Sequence, residues 1–201
     1  MMTIALAKGR LSDDFVRYLK TKEQTAWYEL LAQVDRELVV ESEEVRFLLV
    51  KGADVLRYVE EGIAEIGILG SDILLEHEAN VYNVMDLPFG QCHFALASIE
   101  EKPIYRVVAS KYVNYTKRYF DSQMQEVKII PLSGSVELAA TIGMADAIID
   151  IVQSGETLRI NHLTERIILD SVNARLVVNK HAYFTKYDAI QTVIEELKVS
   201  E

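Results

Sequence analysis

Ser154-Gly155-Glu156-Thr157 sets a glycine among hydroxyl-bearing residues just after the apolar, β-branched run Ala147-Ile148-Ile149. Such a run suits a strand covered on both faces, and Leu158-Arg159-Ile160 can begin a helical turn behind it. A strand–turn–helix junction points several backbone N–H groups at one spot, where the helix dipole adds partial positive charge. Gly155 lets the backbone come close to a guest. Ser154 and Thr157 add hydroxyl donors. Phosphate fits such a turn. Asp146 and Asp150 do not suit phosphate, but they suit the hydroxyls of a sugar next to it, which makes ribose 5-phosphate a natural guest. The same residues also read as an ordinary capped strand-to-helix connection, because short glycine motifs discriminate weakly.

A second group of residues carries the opposite charge. Lys8-Gly9-Arg10 follows the predicted strand Thr3–Ala7, and Lys51-Gly52 follows the predicted strand 45–50. Cations at strand ends make an anion clamp, and in open α/β sheets ligands sit at these carboxyl ends. Solvated side chains are the competing reading. Metal chemistry built by the protein is not expected. Cys92 is the only cysteine, and His77, His93, His162 and His181 are scattered without ligand spacing.

The elements that must position these groups alternate along the chain. After the first strand, Leu11, Phe15, Tyr18 and Leu19 recur on one helical face, with Ser12 or Asp13 as the expected cap. A helix is predicted over 27–34, strands over 36–41 and 45–50, a helix over 53–61 closed by Gly62, a strand over 64–70, and a helix opened by Ser71-Asp72. This β-α-β-α order predicts a parallel sheet with right-handed crossovers. Pro88 and Gly90 signal a change of direction. Strands then follow over 92–97, 106–109 and 127–132, with a helix over 114–120. Ser133-Gly134-Ser135 forms a second anion-friendly turn before a helix over 136–140. Strands over 166–170 and 174–179 carry the chain back to one closing amphipathic helix over 182–198. The expected architecture is α/β and two-lobed, with a central cleft, like the type II periplasmic-binding-protein fold. Lobe I takes residues 1–90 plus 170–201, and lobe II takes 91–169.

Bulk properties narrow the function. In 201 residues, half are hydrophobic, 26% are charged and the net charge is −10. That argues against broad nucleic-acid binding and requires any anionic substrate to be met by a local basic cluster. The N-terminal apolar run is too short for a signal peptide, and no run reaches membrane-spanning length. A cytoplasmic protein is expected.

Taken together, the motifs resemble those of ATP phosphoribosyltransferases, the first enzymes of histidine biosynthesis. Ala5-Leu6-Ala7-Lys8-Gly9-Arg10-Leu11 is similar to the family's opening, and the block from Asp54 to Asp72 to its second motif. Leu87-Pro88-Phe89-Gly90-Gln91-Cys92, Gly134-Ser135-Val136-Glu137-Leu138-Ala139 and the stretch from Gly143 to Arg159 resemble the remaining ones, nearly end to end. The resemblance implies that N1 of ATP displaces pyrophosphate from 5-phosphoribosyl pyrophosphate in the cleft. It implies Mg2+ held mainly by the substrate's pyrophosphate. With the closing helix ending near residue 201, the chain resembles the short form, which works in a hetero-octamer with a histidyl-tRNA-synthetase-like regulatory subunit.

The resemblance also suggests roles. Lys8, Arg10 and Lys51 would address the pyrophosphate and ATP phosphates. Ser154, Gly155, Glu156 and Thr157 would hold the 5-phosphate, and Asp150, with Asp146 at the far end of the same strand, the ribose hydroxyls. Arg36 is a candidate for ATP. Glu137 is a candidate for orienting ATP or the ribose, and a helix-capping role fits it equally. No residue stands out as a general base, and His162 reads as structural. Lys51 stands where the family leads one to expect arginine, keeping the charge but not the bidentate fork, and Leu56 stands where proline is usual. Two other readings fit parts of the pattern: a non-catalytic small-anion-binding module of the same fold, and a different phosphoribosyltransferase. The latter class places two consecutive acids before its phosphate loop, whereas Asp146 and Asp150 are four apart.

Overall fold

The computed structural model describes residues 1–22 and 25–198, so residues 199–201 of the expected first lobe lie outside the described residues. The chain separates into two compact units. One comprises Met1–Leu74, Glu78–Gly90 and the chain from Asn173 onward; the other comprises Leu75–His77 and Gln91–Val172. Elements are numbered in chain order.

The first unit contains β1 (Met2–Ala7), α1 (Arg10–Thr21), α2 (Thr25–Ala32), β2 (Val39–Glu41), β3 (Val45–Val50), α3 (Gly52–Glu60), β4 (Ile66–Gly70), the start of α4 (Ser71–Glu76) and β5 (Val81–Asp86). The second contains β6 (Cys92–Ser98), β7 (Val107–Ser110), α5 (Val113–Ser122), β8 (Lys128–Pro131), α6 (Glu137–Thr141), β9 (Ala147–Val152), α7 (Glu156–Ile160) and β10 (Thr164–Val172). β11 (Ala174–Asn179), α8 (Lys180–Thr185) and α9 (Tyr187–Leu197) return the chain to the first unit.

The first sheet runs β2-β3-β1-β4-β11-β5. β1 pairs in parallel with β3 and β4, as the β-α-β-α pattern predicts. The sheet is mixed, however: β11 enters antiparallel between β4 and β5, and β2 pairs antiparallel with β3. Alternating side chains of β1 serve two cores. Ile4 and Leu6 pack with Phe15, Phe47, Ile190 and Val193, while Ala5 and Ala7 pack with Val55, Leu56 and Val59 of α3. Leu56 is thus a core residue of α3. Gly62 takes φ 70° after α3, and the N–H groups of Gly62 and Ile63 donate back to Val59 and Tyr58, which closes the helix as expected.

The second sheet runs β10-β6-β9-β7-β8 and is also layered. Ile148 and Val152 of β9 pack with Val136, Ala139 and Leu158 from the α6–α7 side. Ala147 and Ile149 pack on the other face with Tyr112, Tyr115 and Phe120 from α5 and its N-cap. Glu76 is buried in this unit and accepts hydrogen bonds from the N–H groups of Asn114 (3.0 Å) and Tyr115 (2.9 Å), capping α5 from outside the helix.

Two further expectations need correction. The closing helix over 182–198 is two helices that break at Lys186, whose φ of −127° is non-helical and whose ammonium bonds Glu65 at 2.6 Å. Arg36 does not begin a strand: it lies in the loop ahead of β2.

Candidate active site

In the first unit, β1 and β3 lie side by side in parallel with Ala7 opposite Val50. Lys8 and Lys51 follow these two residues, so both emerge at one carboxyl edge, on strands ~5 Å apart. Lys8 is tied there by its N–H, which donates to Val50 O at 2.8 Å. Each lysine also leads into a helix. Gly9 is the N-cap of α1, with φ 93° and ψ −145°, a backbone conformation that suits glycine. Lys51 is the N-cap of α3. Neither helix start carries a side-chain cap. Ser12 and Asp13 therefore do not cap α1: Ser12 sits inside the first turn, and its hydroxyl donates to Gly9 O at 2.7 Å. Two helix starts whose N-cap residues supply no side-chain cap, beside two lysines, form a region suited to anions. Arg10, the first residue of α1, lies on the same edge.

A pocket of about 410 Å³ opens beside Lys8. Its polar lining includes Lys8, Ser12, Asp13 and Arg36, and Val16, Leu31 and Leu49 supply an apolar wall. Arg36, 28 residues from Lys8, is thus brought to the same pocket. Its loop is fixed by Glu37, whose carboxylate accepts the N–H groups of Asp35 and Arg36, both at 3.0 Å. Its own backbone N–H and then these two hold the Glu37 carboxyl below its usual range. The same lining carries the carboxylates of Asp13, Asp35 and Glu37, so the pocket sets an apolar wall beside groups of both charges.

In the second unit, β9 ends at Val152 and Gly155 takes φ 69°, the left-handed conformation that favours glycine, as the N-cap of α7. The expected strand, turn and helix start are all present. Ser154 and Thr157 are exposed, Ser154 Oγ accepting the N–H of Glu156 at 3.4 Å. Glu156 is the first residue of α7 and pairs with Arg159 at 3.8 Å. Asp150 shares the face of Ile148 and Val152 by alternation, toward the end of β9 that leads into the turn, and its carboxylate accepts the N–H of Ile151 at 2.8 Å. His162 lies just past the C-cap of α7, exposed, with φ 61°.

Asp146 is not brought to this turn. It precedes β9, a strand's length away from the turn that follows Val152. Its carboxylate instead accepts the Lys102 ammonium at 2.5 Å and the N–H groups of Arg106 and Val107, both at 2.9 Å. The lysine first, then these N–H groups, hold its carboxyl below the usual range. Those bonds occupy it in anchoring the start of β7. Glu137 is the first residue of α6, half-buried, after a turn in which Ser135 takes φ 50°.

One arrangement near the turn was not expected. His93 Nε2 lies 2.7 Å from Glu165 Oε2, and a Cβ on Gly155 would meet Glu165 Oε1 at 3.3 Å. Glu165 is 72 residues from His93, and no spacing in the sequence signals the pair.

Among the described residues, no cluster of three or more His, Cys, Asp or Glu side chains could hold a metal ion, and no helix is long and apolar enough to cross a membrane.

Comparison with known proteins agrees with this chemistry. Residues 51–199 match the family model described as HisG: ATP phosphoribosyltransferase. An ATP phosphoribosyltransferase of Staphylococcus carnosus (strain TM300) is 48% identical over 201 residues, covering 100% of this chain and 98% of the relative. One of Staphylococcus aureus (strain bovine RF122 / ET3-1) is 48% identical over 200 residues, with the same coverage. Among solved structures, the ATP phosphoribosyl transferase (HisG:HisZ) complex from Thermotoga maritima is similar at a TM-score of 0.82 and 32% identity, covering 98% of this chain and 96% of that one. The periplasmic aliphatic sulphonate binding protein SsuA from Escherichia coli shares the fold at a TM-score of 0.62 and 12% identity, over 98% of this chain and 70% of its own. The two-sheet α/β architecture is thus that of periplasmic-binding-protein-like folds, and the chain belongs to the ATP phosphoribosyltransferase family.

Proposed function

We propose that this chain transfers the 5-phosphoribosyl group from phosphoribosyl pyrophosphate to N1 of ATP and releases pyrophosphate, the first step of histidine biosynthesis, with its residues divided between the two substrates as follows. The observation that carries the reading is the carboxyl edge of β1 and β3, where Lys8 and Lys51 flank two helix starts without side-chain caps and Lys8 meets Arg36 in one amphipathic pocket. Adenine N1 is a weak nucleophile, so the leaving pyrophosphate must be stabilised and the substrates aligned. Positioned cations do the first: Lys8, Arg10 and Lys51 meet the pyrophosphate and the ATP phosphates. Arg36 and the apolar wall of the pocket orient ATP. Alignment of bound reactants can contribute ~7 kcal/mol or more to the barrier.

Ser154, Gly155, Glu156 and Thr157 hold the 5-phosphate. Asp150 accepts hydrogen bonds from the ribose hydroxyls, and Glu137 helps orient ATP or the ribose. Asp146 is left out of the site because its carboxylate is committed to Lys102 and β7. The family uses a metal. We assign it as Mg2+ arriving on the pyrophosphate, where it offsets leaving-group charge. We place the reaction in the cytoplasm. We also assign a histidyl-tRNA-synthetase-like regulatory subunit as partner, forming a hetero-oligomer of the hetero-octameric kind; the similarity to the HisG:HisZ complex from Thermotoga maritima supports this.

The test is product ultraviolet absorbance from ATP and phosphoribosyl pyrophosphate, with and without that subunit. Product must appear, and substrate binding without turnover in its presence would favour a plain anion binder. Lys8→Met should lower kcat by at least tenfold, and full activity would remove Lys8 from the mechanism. Gly155→Ala combined with Thr157→Val should raise the KM for phosphoribosyl pyrophosphate at least tenfold, whereas an unchanged value would refute the 5-phosphate cradle.

A further inference from the structure

We propose that His93 and Glu165 are positioning residues for the Ser154–Thr157 turn: His93 clamps Glu165, and Glu165 forms the floor that sets the height of the turn at Gly155. The inference rests on the reading of that turn as the 5-phosphate cradle. β6 runs antiparallel to β9, with His93 opposite Val152, the last residue before the turn. His93 therefore stands at the end of the sheet where the turn begins.

His93, Ala95 and Ala97 share one face of β6, and Ala95 and Ala97 pack into the core on the α6–α7 side. Glu165 of β10 lies opposite Ala97. The long Glu165 side chain and the His93 ring meet at 2.7 Å. Both side chains are about a quarter exposed, at 25% and 29%. One carboxylate oxygen is thus held by Nε2–H of His93. The other comes within 3.3 Å of where a Cβ on Gly155 would stand. A side chain there would crowd the carboxylate, which would have to give by a few tenths of an ångström, and φ 69° at the same position favours glycine as well.

A carboxylate under a phosphate turn weakens anion binding unless its orientation and charge are controlled. His93 controls the first by fixing the carboxylate in one rotamer, and its donor offsets part of the second. Without it, Glu165 turns freely and the turn loses its floor. The consequence falls on one substrate only, because Lys8, Lys51 and Arg36 lie on other elements.

The test is steady-state kinetics of variants in the presence of the regulatory subunit. His93→Ala should raise the KM for phosphoribosyl pyrophosphate about tenfold, the size expected for losing a hydrogen bond to a charged group. The KM for ATP and kcat should stay within twofold. His93→Gln, whose amide N–H can reach Glu165, should restore the KM to within about threefold of the parent. If His93→Ala does not fold, His93→Asn, which falls short of Glu165, is compared with His93→Gln in its place. An unchanged KM, an equal rise for both substrates, or no rescue by glutamine would overturn the role. Failure of the Gly155→Ala/Thr157→Val pair to raise the KM would remove the cradle and this role with it. A rise in that pair without one in the His93 variants would remove the positioning role alone.

Discussion

Asp146 and Asp150 are the same residue type, four positions apart, and they end in different situations. Asp150 stands toward the carboxyl end of β9, whereas Asp146 anchors the strand's beginning through Lys102, Arg106 and Val107. The Asp146 carboxyl is held below its unfolded value of about 3.9. Its contribution to stability is therefore complete above that value and is lost as pH falls through the lower, folded one. Asp146→Asn should lower the unfolding free energy at pH 7 by roughly 1 kcal/mol, a modest figure because the Lys102 partner is exposed to solvent. Denaturant midpoints of parent and variant should converge on acidification below pH 4. A gap that persists there would mean the carboxylate's charge is not what anchors β7. From the sequence the two aspartates could not be told apart, because what separates them is the N–H groups of Val107 and Arg106, 39 and 40 residues away. Ser154, Gly155 and Thr157 were legible because a strand–turn–helix junction is a local event. Arg36 needed the fold to bring it to Lys8, and His93 needed a partner 72 residues on.

Elements were legible where alternation and length agree. β3 and β11 were expected at the bounds they have, because both are short, apolar and buried along one or both faces. Their pairing was not legible. β11 enters the first sheet antiparallel between β4 and β5, and neither neighbour is marked in its sequence. The break at Lys186 is not marked in the sequence either, because no glycine or proline stands between Ala182 and Leu197. Packing of elements explains one glycine that periodicity leaves unexplained. Gly67 lies in β4, and a Cβ there would stand 2.7 Å from Val59 Cγ2, 2.9 Å from Val177 Cγ2 and 3.0 Å from Val55 Cγ1. Gly67→Ala should thus overpack α3 against the sheet and cost about 1–3 kcal/mol in thermal unfolding, and a neutral substitution would show that α3 can shift outward cheaply.

At the scale of the whole molecule, Lys8, Arg10 and Lys51 lie in one unit and the Ser154–Thr157 turn in the other. The single tryptophan, Trp27, packs edge-on against Phe47 at 5.4 Å in the first unit. Binding of phosphoribosyl pyrophosphate at Lys8 and Lys51 should raise the unfolding midpoint reported by Trp27 fluorescence. The gain should approach 2.7 kcal/mol at ~100 times Kd. A shift seen by circular dichroism but not by Trp27 would confine binding to the second unit. β10 bears on the whole molecule in another way. It is an outer strand, and its nine residues run against the seven of β6, with two register shifts along the pairing. At one of them Arg166 folds back onto the oxygens of Ser98 and Ile99. Ile167 and Ile168 are exposed on this strand. A straight, apolar edge of that length would template fibrils by adding strands from other molecules. The two irregularities break the ladder of free N–H and C=O groups, so copies of the chain can be crowded together without zipping edge to edge.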